Sequence, residues 1–354
     1  MNEIDMLLLS GAVRPLLQWY EGNARVLPWR QQPTPYRVWV SEIMLQQTRV
    51  SAVMPYFQRW MEALPEIRDL AQAEEETLLK LWEGLGYYNR VRNLQKAAKI
   101  IMTEHDGNMP SEYALLLQLP GIGEYTAGAI SSIAFGQDEV AVDGNVLRVI
   151  SRMLGSFRDI KEPETKKDMQ QLLRAVLPSG KASAFNQALM ELGATVCLPN
   201  GAPQCMLCPW AENCRAHEAG NELMIPVKTP KKQRRIEEKT LFLCICGNRV
   251  AIGKRPAKGL LAGLWELPSA AGFLTQEQAE KYLQELHIET AAMEKTEAAK
   301  HIFTHIEWHM QGYLVEIKEP AGEFLWVSWE ELQQQYALPS AFKAYVSVLE
   351  KRLS

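Results

Sequence analysis

The sequence contains no long apolar run and no recognisable export signal. A membrane-spanning helix needs about 18 or more consecutive apolar residues, and no segment of the 354-residue chain approaches that length. The first residues, MNEIDMLLLSGAV, carry acidic groups where a signal peptide carries basic ones, and their apolar stretch is short. We therefore expect a cytoplasmic protein without a membrane partner.

The sequence also has no excess of positive charge. It carries 38 lysines and arginines against 42 aspartates and glutamates, and its charged fraction of 23% is typical of a folded globular protein. A nucleic-acid-binding domain usually has a basic surface. The basic run Lys228–Lys239 is more typical of a solvated linker than of such a surface. Composition alone does not indicate a nucleic-acid partner.

Cysteine is scarce, with six residues in the chain, but four of them fall within one short segment. The segment CLPNGAPQCMLCPWAENC leaves gaps of seven, two and five residues between Cys197, Cys205, Cys208 and Cys214. In a reducing cytoplasm such a group indicates a metal centre and not disulfides. Four thiolates suit either tetrahedral zinc or a [4Fe–4S] cluster. The single Cys-x-x-Cys pair favours iron–sulfur, because zinc modules more often show two such pairs.

The apolar pattern divides the chain into two parts. Up to residue 223, apolar residues recur at helical spacing between proline and glycine interruptions, which predicts a helical domain. After Lys239 the pattern alternates, and Thr240–Cys246 with Arg249–Gly253 predicts a hairpin. Helices are predicted at Gln276–Leu286 and Ala341–Lys351. The second domain is therefore predicted to be α+β.

A glycine-rich turn precedes a helical run in the first domain. Leu119–Gly123 (LPGIG) leads into Glu124–Phe135, and two glycines two residues apart let a backbone approach another molecule closely. The free N–H groups of the following helix can hold a phosphate, as in proteins that contact a DNA backbone without reading its sequence. The same pattern occurs in ordinary helix–helix turns, so this motif alone leaves both interpretations open.

Taken together, these motifs resemble the helix-hairpin-helix glycosylases of the endonuclease III superfamily. Those enzymes combine LPG-x-G with a VD-x-N-V-x-R segment, here Val142–Arg148, and with four cysteines on a [4Fe–4S] cluster. The match covers nearly all of residues 1–220. It implies a multi-domain protein whose first domain is an all-α glycosylase with an iron–sulfur cluster loop. It also implies duplex DNA as the partner, with backbone contacts at Gly121 and Gly123.

The superfamily divides by the residue that stands two positions after LPG-x-G. Bifunctional members carry a lysine there, whose amine attacks the sugar to form a Schiff base. This chain has Tyr125, and it has no lysine between Lys99 and Lys161. Since tyrosine cannot form an imine, we expect a monofunctional enzyme. The segments WVSEIMLQQTRV and EGLGYYNRVRNL resemble the adenine DNA glycosylases within that branch.

The resemblance implies a base-excision repair enzyme that hydrolyses the N-glycosidic bond of adenine mispaired with 8-oxoguanine or guanine. The adenine must leave the stack, and bond cleavage needs a proton donor and a negative group facing an oxocarbenium-like sugar. The resemblance assigns these two roles to Glu42 and Asp143. It implies that Asn145 orients Asp143 or the attacking water, and that Tyr125 supports Asp143 by a hydrogen bond.

The residues themselves support the two carboxylate roles unequally. Glu42 lies on an apolar stripe with Val38 and Leu45, where burial would raise the pKa of its carboxyl and keep it protonated. A surface ion pair is the alternative for Glu42. Asp143 precedes a glycine and a predicted helix, a position that is typical of a turn or an N-cap. Its catalytic role therefore follows from the resemblance alone.

The same resemblance implies further contacts with DNA. The residues implied for the adenine pocket are Leu27, Trp29, Arg30 and Gln187. Those implied to fill or wedge the opened duplex are Gln47, Thr48 and Tyr87, with the choice between Tyr87 and Tyr88 left open. Thr304 and His305 align with the loop that reads 8-oxoguanine, where the family usually has serine in place of the threonine.

The second domain resembles the smaller Nudix-like domain of the adenine glycosylases at Gly259–Pro268 (GLLAGLWELP). A catalytic Nudix domain needs a helix with an acidic array that binds magnesium, and the residues after this segment lack that array. We therefore expect a recognition domain and not a phosphohydrolase. The predicted organisation is a catalytic domain at residues 1–225, a linker at 226–238 and the Nudix-like domain at 239–354.

Two other functions stay open at this point. One is a pyrimidine-specific lyase of endonuclease III type, against which Tyr125 counts, and the other is an iron–sulfur DNA-binding protein without catalysis. The cysteine loop departs from the family, since seven residues separate Cys197 from Cys205 where six are usual. The expected enzyme is a monomer of bacterial type, associated with the nucleoid.

Overall fold

The computed structural model describes residues 3–230 and 233–353. Contacts between residues divide the chain into two compact units. The helical unit comprises the chain up to Gln72 together with Arg92–Pro230, and the sheet unit comprises Ala73–Val91 together with the chain after Pro230. The sheet unit is therefore discontinuous in sequence, because one of its segments comes from within the predicted helical domain.

Helices account for the regular structure of the first domain, and no strand precedes Arg235 among the described residues. These helices are α1 (Glu3–Asn23), α2 (Pro28–Gln31), α3 (Pro35–Leu45), α4 (Val50–Ala63), α5 (Ile67–Gln72), α6 (Glu75–Leu81), α7 (Asn89–Glu104), α8 (Tyr113–Leu116), α9 (Glu124–Ala129), α10 (Gly144–Met153), α11 (Pro163–Val176), α12 (Ala182–Thr195) and α13 (Arg215–Glu218). A π-helical turn, Ile130–Ala134, extends α9. The predicted all-α character of this domain is confirmed.

The core of the helical unit lies between α1, α10, α11 and α12. Leu16 of α1, Ile150 of α10 and Leu192 of α12 are fully buried in one apolar cluster. Burying such a side chain stabilises the fold by about 1.5–3 kcal/mol. The indole of Trp210 donates a hydrogen bond of 2.8 Å to the carbonyl of Ala12. This bond ties the cysteine-bearing segment to α1.

A turn interrupts the helical spacing that the sequence shows from Val38 to Trp60. The structure divides this run into α3 and α4, with Gln47 between them at φ 60°. A left-handed backbone costs a non-glycine residue about 1–3 kcal/mol and is concentrated at functional sites. Apolar periodicity continues across the break because both helices bury the same kinds of side chain. The pattern therefore does not reveal the turn.

The sheet unit contains a sheet of seven strands within the described residues. They are β1 (Arg235–Cys246), β2 (Arg249–Lys254), β3 (Trp265–Glu266), β4 (Ser269–Ala271), β5 (Thr290–Ile302), β6 (Ile306–Ile317) and β7 (Leu325–Ser328). The main path runs β3-β2-β1-β6-β5, with β4 beside β1 and β7 beside β2. Strands β1 and β6 are parallel, and the predicted hairpin joins β1 to β2 through the pair Cys246 and Arg249. Besides α6, the sheet unit contains the helices α14 (Gln276–Glu285), α15 (Trp329–Gln334) and α16 (Lys343–Leu353).

The second half of strand β1, from Thr240 to Ile245, is buried on both faces because a helix covers each side of the sheet. Leu241 and Leu243 pack in the same cluster as Tyr345 of α16. Phe242 and Cys244 point to the opposite face, where they pack with Leu283 of α14. A parallel pairing such as β1 with β6 is usually covered in this way. The structure thus places Cys244 among buried apolar side chains.

Three side chains of the Ala73–Val91 segment hold α6 to the rest of the sheet unit. Lys80 donates from Nζ to the carbonyl of Tyr336 at 3.1 Å, and Glu83 accepts from the backbone N–H of Leu338 at 2.7 Å. Glu76 pairs with Lys254 at 2.8 Å between Oε1 and Nζ. These bonds explain why the segment belongs with the C-terminal strands although it lies early in the chain.

The predicted linker is shorter in the structure than in the sequence interpretation. Residues 231 and 232 of this segment lie outside the described residues, and β1 already begins at Arg235. On the N-terminal side of these two residues, the backbone N–H of Thr229 donates to Asp159 Oδ2 at 2.7 Å, which holds the chain to the helical unit.

Among the described helices, none combines the length and the hydrophobicity of a membrane-spanning segment.

Candidate active site

A cleft of about 940 Å³ opens in the helical unit. Ten residues singled out from the sequence line it: Leu27, Trp29, Arg30, Glu42, Gln47, Thr48, Tyr125, Asp143, Asn145 and Gln187. They come from separate segments of the chain, and the fold places them around one cleft. A cleft of this size lies within the usual range for small-molecule sites and accommodates a purine base.

Glu42 lies on helix α3 and lines this cleft. The helix begins at Pro35, where the side chain of Thr34 caps it, and its apolar residues bury the face that carries Glu42. Only 5% of Glu42 is exposed. Burial raises the pKa of the Glu42 carboxyl to about 7, and Asp143 adds to the rise, while Tyr125 and Arg30 oppose it. At neutral pH a large fraction of Glu42 therefore carries a proton that it can donate.

Tyr125 makes its hydrogen bond to Glu42 and not, as the family resemblance implied, to Asp143. Its hydroxyl donates to Glu42 Oε2 and also lies 3.8 Å from the sulfur of Met190. Burial, together with the nearby Glu42 and Asp143, raises the pKa of Tyr125 well above its ordinary value. The tyrosine therefore stays protonated and acts as a fixed donor beside the carboxyl of Glu42.

Asp143 is both an N-cap and a lining residue of the cleft. Its Oδ1 accepts from the backbone N–H groups of Asn145 at 2.8 Å and Val146 at 2.7 Å, which caps α10. The side-chain amide of Asn145 donates to the other oxygen at 2.7 Å. Burial raises the pKa of Asp143, and these three hydrogen bonds and the charge of Arg148 counteract it. Asp143 therefore caps α10 and also lines the cleft that contains Glu42.

Three charged residues of the cleft, Arg25, Arg49 and Glu191, were missed in the sequence. Arg25 and Glu191 line it together with Arg30, and both arginines bind the carboxylate of Glu191. Arg25 stands two residues before Leu27, and Glu191 stands four residues after Gln187 on α12. Residues four apart share a helix face, so the position of Gln187 was a usable signal for Glu191.

The glycine-rich turn has the geometry that its sequence predicts. Gly121 has φ +80°, and a β-carbon there would lie 2.8 Å from the Cβ atom of Asn93. Gly123 is the N-cap of α9, which begins at Glu124. The glycine at 121 is therefore required both by its backbone conformation and by the close approach of α7.

The four clustered cysteines line one cavity together with apolar residues and the polar residues Arg152, His217 and Glu222. All four are free thiols. Arg152 donates to the sulfur of Cys197 at 3.2 Å, and Arg148 donates to the backbone carbonyl of Cys197 at 2.9 Å. Both arginines therefore place positive charge beside Cys197.

Two further metal-binding side chains lie beside this cysteine group. Within the described chain, ligand atoms of Cys205, His217 and Glu222 lie within 4.8 Å of one another. Four thiolates suit either tetrahedral zinc or a [4Fe–4S] cluster.

The sheet unit carries the remaining predicted DNA contacts. Tyr87 is 50% exposed with φ 48°, whereas Tyr88 is only 6% exposed, so the structure offers Tyr87 as the accessible ring. The Tyr87 hydroxyl lies 3.0 Å from that of Thr304. Thr304 and His305 form the exposed tip between β5 and β6, which the bond from the Phe303 N–H to the Ile306 carbonyl closes at 2.9 Å.

Comparisons with known proteins agree with this architecture. The model described as "HhH-GPD superfamily base excision DNA repair protein" matches residues 40–175, and the model described as "NUDIX domain" matches residues 240–348. A solved thermostable thymine-DNA glycosylase has a TM-score of 0.54 and 26% identity, over 61% of this chain and 97% of its own. A trapped endonuclease III–DNA intermediate shares the fold at a TM-score of 0.53 and 24% identity, over 62% and 99%. The fold and the cleft define a base-excision DNA repair protein with an added NUDIX domain.

Curated relatives narrow this class. The adenine DNA glycosylase of Rattus norvegicus is 35% identical over 98% of this chain and 79% of its own length. That of Arabidopsis thaliana is 37% identical over 82% and 55%, and that of Schizosaccharomyces pombe is 31% identical over 95% and 88%. The chain belongs to the adenine DNA glycosylase family. It is an enzyme of base-excision repair that acts on duplex DNA and cleaves N-glycosyl bonds.

Proposed function

We propose that this enzyme is a monofunctional glycosylase that removes adenine opposite 8-oxoguanine or guanine in duplex DNA. The observation that carries the proposal is the presence of two carboxyl groups, the buried Glu42 and the half-buried Asp143, in one cleft of the helical unit. The carboxyl of Glu42 has a pKa that burial raises to about 7. Two carboxyl groups in different environments can divide the acid and anion roles between them.

Glu42 acts as the general acid in this mechanism. Adenine leaves as a neutral base only if one of its ring nitrogens is protonated, and a carboxyl with a pKa near the working pH combines availability of the proton with driving force for its transfer. Tyr125 fixes the orientation of this carboxyl through its hydrogen bond. The proton thus moves from Glu42 to N7 of adenine as the glycosidic bond breaks.

Asp143 faces the positive charge that develops on the sugar. Its oxygens are held by Asn145 and Val146, so the carboxylate needs no rearrangement when the oxocarbenium-like species forms. Asn145 then orients the water that attacks the sugar. The cleft supports this arrangement because both residues line it with Glu42.

Base flipping brings adenine into the cleft. The buried apolar side chains of Leu27 and Trp29 line the cleft, and Arg30 offers hydrogen-bond donors to the edge of a purine. Gln47 and Thr48 lie on the turn between α3 and α4, from which they fill the space in the duplex. Extrusion costs a few kcal/mol, least at a mispair, which favours mispaired adenine.

Monofunctional cleavage follows from the absence of an amine nucleophile. The described residues that line the cleft include no lysine, and Tyr125 stands where the lyases of the superfamily have one. Schiff-base formation needs such an amine. Water is therefore the nucleophile, and the product is an intact strand with an abasic site.

The base opposite adenine is read by the sheet unit. Tyr87 inserts into the base stack of the DNA. The hydroxyl of Thr304 and the ring of His305 contact 8-oxoguanine. The exposure of this loop and the close approach of Tyr87 and Thr304 support a shared contact surface. Threonine retains the hydroxyl of the serine that is usual in the family and adds a methyl group.

The cysteine centre holds a [4Fe–4S] cluster in this proposal, with Cys197, Cys205, Cys208 and Cys214 as its ligands. The donor set of four cysteines around one cavity supports this assignment. A bound cluster would cross-link the Cys197–Cys214 loop to the helical core. Gly201, which has φ +75°, lies between Cys197 and Cys205 in this loop.

We place the monomeric enzyme in the cytoplasm, at the nucleoid.

Single-turnover cleavage tests the proposal. Duplexes carry adenine opposite 8-oxoguanine, guanine or thymine, and a fourth carries thymine opposite guanine, the choice suggested by the solved thymine-DNA glycosylase. Strand breaks that need alkali, in the first two duplexes only, would support the proposed function. Breaks without alkali would contradict monofunctional cleavage, and reaction of the fourth duplex alone would contradict the choice of adenine. Iron and sulfide analysis with the visible spectrum tests the cluster.

A further inference from the structure

A fully buried carboxylate outside the proposed acid and anion pair holds two arginines of the cleft. Glu191 on α12 has no exposed surface. Its Oε1 accepts from Arg25 Nε at 2.5 Å and from the Arg25 backbone N–H at 3.2 Å. Its Oε2 accepts from Arg25 Nη2 at 3.1 Å and from Arg30 Nη2 at 2.8 Å. One carboxylate therefore receives four hydrogen bonds from two cations.

The orientation of Arg30 depends on these bonds. Its second terminal nitrogen donates to the carbonyl of Arg25 at 3.2 Å, and its guanidinium lies 5.8 Å from the ring centroid of Tyr20. Arg25 is itself fixed by the forked contact with Glu191. Such fork geometry fixes direction as well as distance. Without Glu191, Arg30 would retain only the carbonyl and the ring contact.

We infer that Glu191 is a positioning residue of the glycosylase reaction, which fixes Arg30 toward the extruded adenine and balances the arginine charge near Glu42. The inference rests on the proposed function of the cleft. Glu191 touches neither substrate nor the reacting atoms in this role. It acts through Arg25 and Arg30, which line the cleft beside it.

The charge balance around Glu191 should affect the pKa of Glu42. The charged and titratable groups that line the cleft with Glu42 are Arg25, Arg30, Arg49, Tyr125, Asp143 and Glu191. Arg30 lowers the pKa of Glu42 in the intact site. A neutral residue at position 191 leaves two arginine charges uncompensated in this group. The pKa of Glu42 should then fall, so that less of the acid is protonated at neutral pH.

The test compares Glu191→Gln with Asp168→Asn by single-turnover adenine release from pH 5 to 9. Asp168 is the matched control, because it also loses a carboxylate paired with an arginine, Arg158 at 2.7 Å, but on an exposed surface. We expect Glu191→Gln to react about tenfold or more slowly at pH 7. The midpoint of its pH profile should move to a pH about one unit lower. The control should match the unaltered enzyme.

Glu191→Asp separates charge from geometry. It keeps the negative charge but shortens the side chain, so the rate should fall while the midpoint stays within a few tenths of its original pH. If Glu191→Gln does not fold, as judged by circular dichroism and the melting curve, Arg25→Gln replaces it. The Arg25 side chain is 36% exposed, and its loss should slow the reaction without lowering the midpoint.

The outcomes separate the two proposals. If the unaltered enzyme releases no adenine from any duplex, the proposed function fails. If it does release adenine but Glu191→Gln retains both its rate and its pH midpoint, only the positioning role is overturned. A slower Glu191→Gln with an unshifted midpoint, alike at every pH, would also contradict the charge balance and indicate a purely structural carboxylate.

Discussion

The cleft of the helical unit and the Thr304 loop of the sheet unit hold their polar groups in opposite ways. In the cleft, Glu42 and Asp143 are largely removed from water, and burial is the largest influence on the pKa of each. In the loop, Thr304 and His305 are exposed, and a single hydroxyl contact at 3.0 Å links the loop to Tyr87. Under the proposed function, this difference follows from the two roles: proton transfer needs groups that are already oriented, whereas the loop would find its hydrogen-bond partners on the DNA.

Replacing the buried acid should have the largest effect on the reaction. Glu42→Gln keeps the shape and an acceptor for Tyr125 but cannot deliver the proton, so adenine release should slow about 1000-fold. Glu62→Gln is the matched control, since Glu62 is an exposed residue that accepts from Gln58. Single-turnover kinetics with a measured duplex affinity would check this. A variant that kept more than a tenth of the rate would remove Glu42 from the acid role.

The pH dependence should follow the acid. Since the pKa of Glu42 is raised to about 7, the carboxyl is mostly protonated below that pH and loses its proton above it. The single-turnover rate should therefore fall about tenfold for each pH unit above roughly 7.5. Measurement in overlapping buffers from pH 6 to 9 tests this, and a flat profile over that range would be incompatible with Glu42 as the donor.

The same burial should cost stability at high pH. The folded pKa of about 7 exceeds the ordinary value of 4.5, so the folded state binds the proton more tightly and becomes less stable as pH rises between these values. Glu42→Gln should raise the free energy of unfolding at pH 8 by about 2 kcal/mol, and by much less at pH 5. Urea unfolding at both pH values would measure the difference. An equal effect at the two pH values would contradict the titration argument.

A substitution in the exposed loop of Thr304 and His305 should have the smallest effect. It should change only the selectivity between the two mispairs. Thr304→Val removes one hydroxyl, so the preference for adenine opposite 8-oxoguanine over guanine should fall about fivefold. The rate of the chemical step at saturating enzyme should stay the same. Thr103→Val, at an exposed position of α7, is the control. A Thr304→Val enzyme with slowed chemistry at both mispairs would show that the two regions are not separable in this way.

Local sequence patterns predicted those parts of the site that depend on neighbours along the chain. The apolar stripe with Val38 indicated that Glu42 is buried, and the Asp-Gly step before a helix indicated an N-cap at Asp143. Both features are present. Each depends on helix geometry over a few residues, which the sequence expresses directly.

Contacts between distant segments could not be read in this way. Arg25 and Glu191 are 166 residues apart, and nothing local pairs them. Strand β5 was also missed, because Thr290–Ile302 is rich in alanine, glutamate and lysine, which favour helices. It forms an edge strand that pairs with β6. There, charged side chains suit the exposed edge, and pairing overrides local preference.

The discontinuity of the sheet unit means that the polypeptide passes between the two units three times: at Gln72–Ala73, at Val91–Arg92 and at Pro230–Lys231. A single cut in the linker would therefore not release a complete sheet unit. The fragment after the cut would lack α6 and the loop that carries Tyr87. Lys80 and Glu83 would remain on the other fragment and would be joined to their C-terminal partners by noncovalent bonds alone. Limited proteolysis should then yield a nicked molecule whose pieces separate only in denaturant.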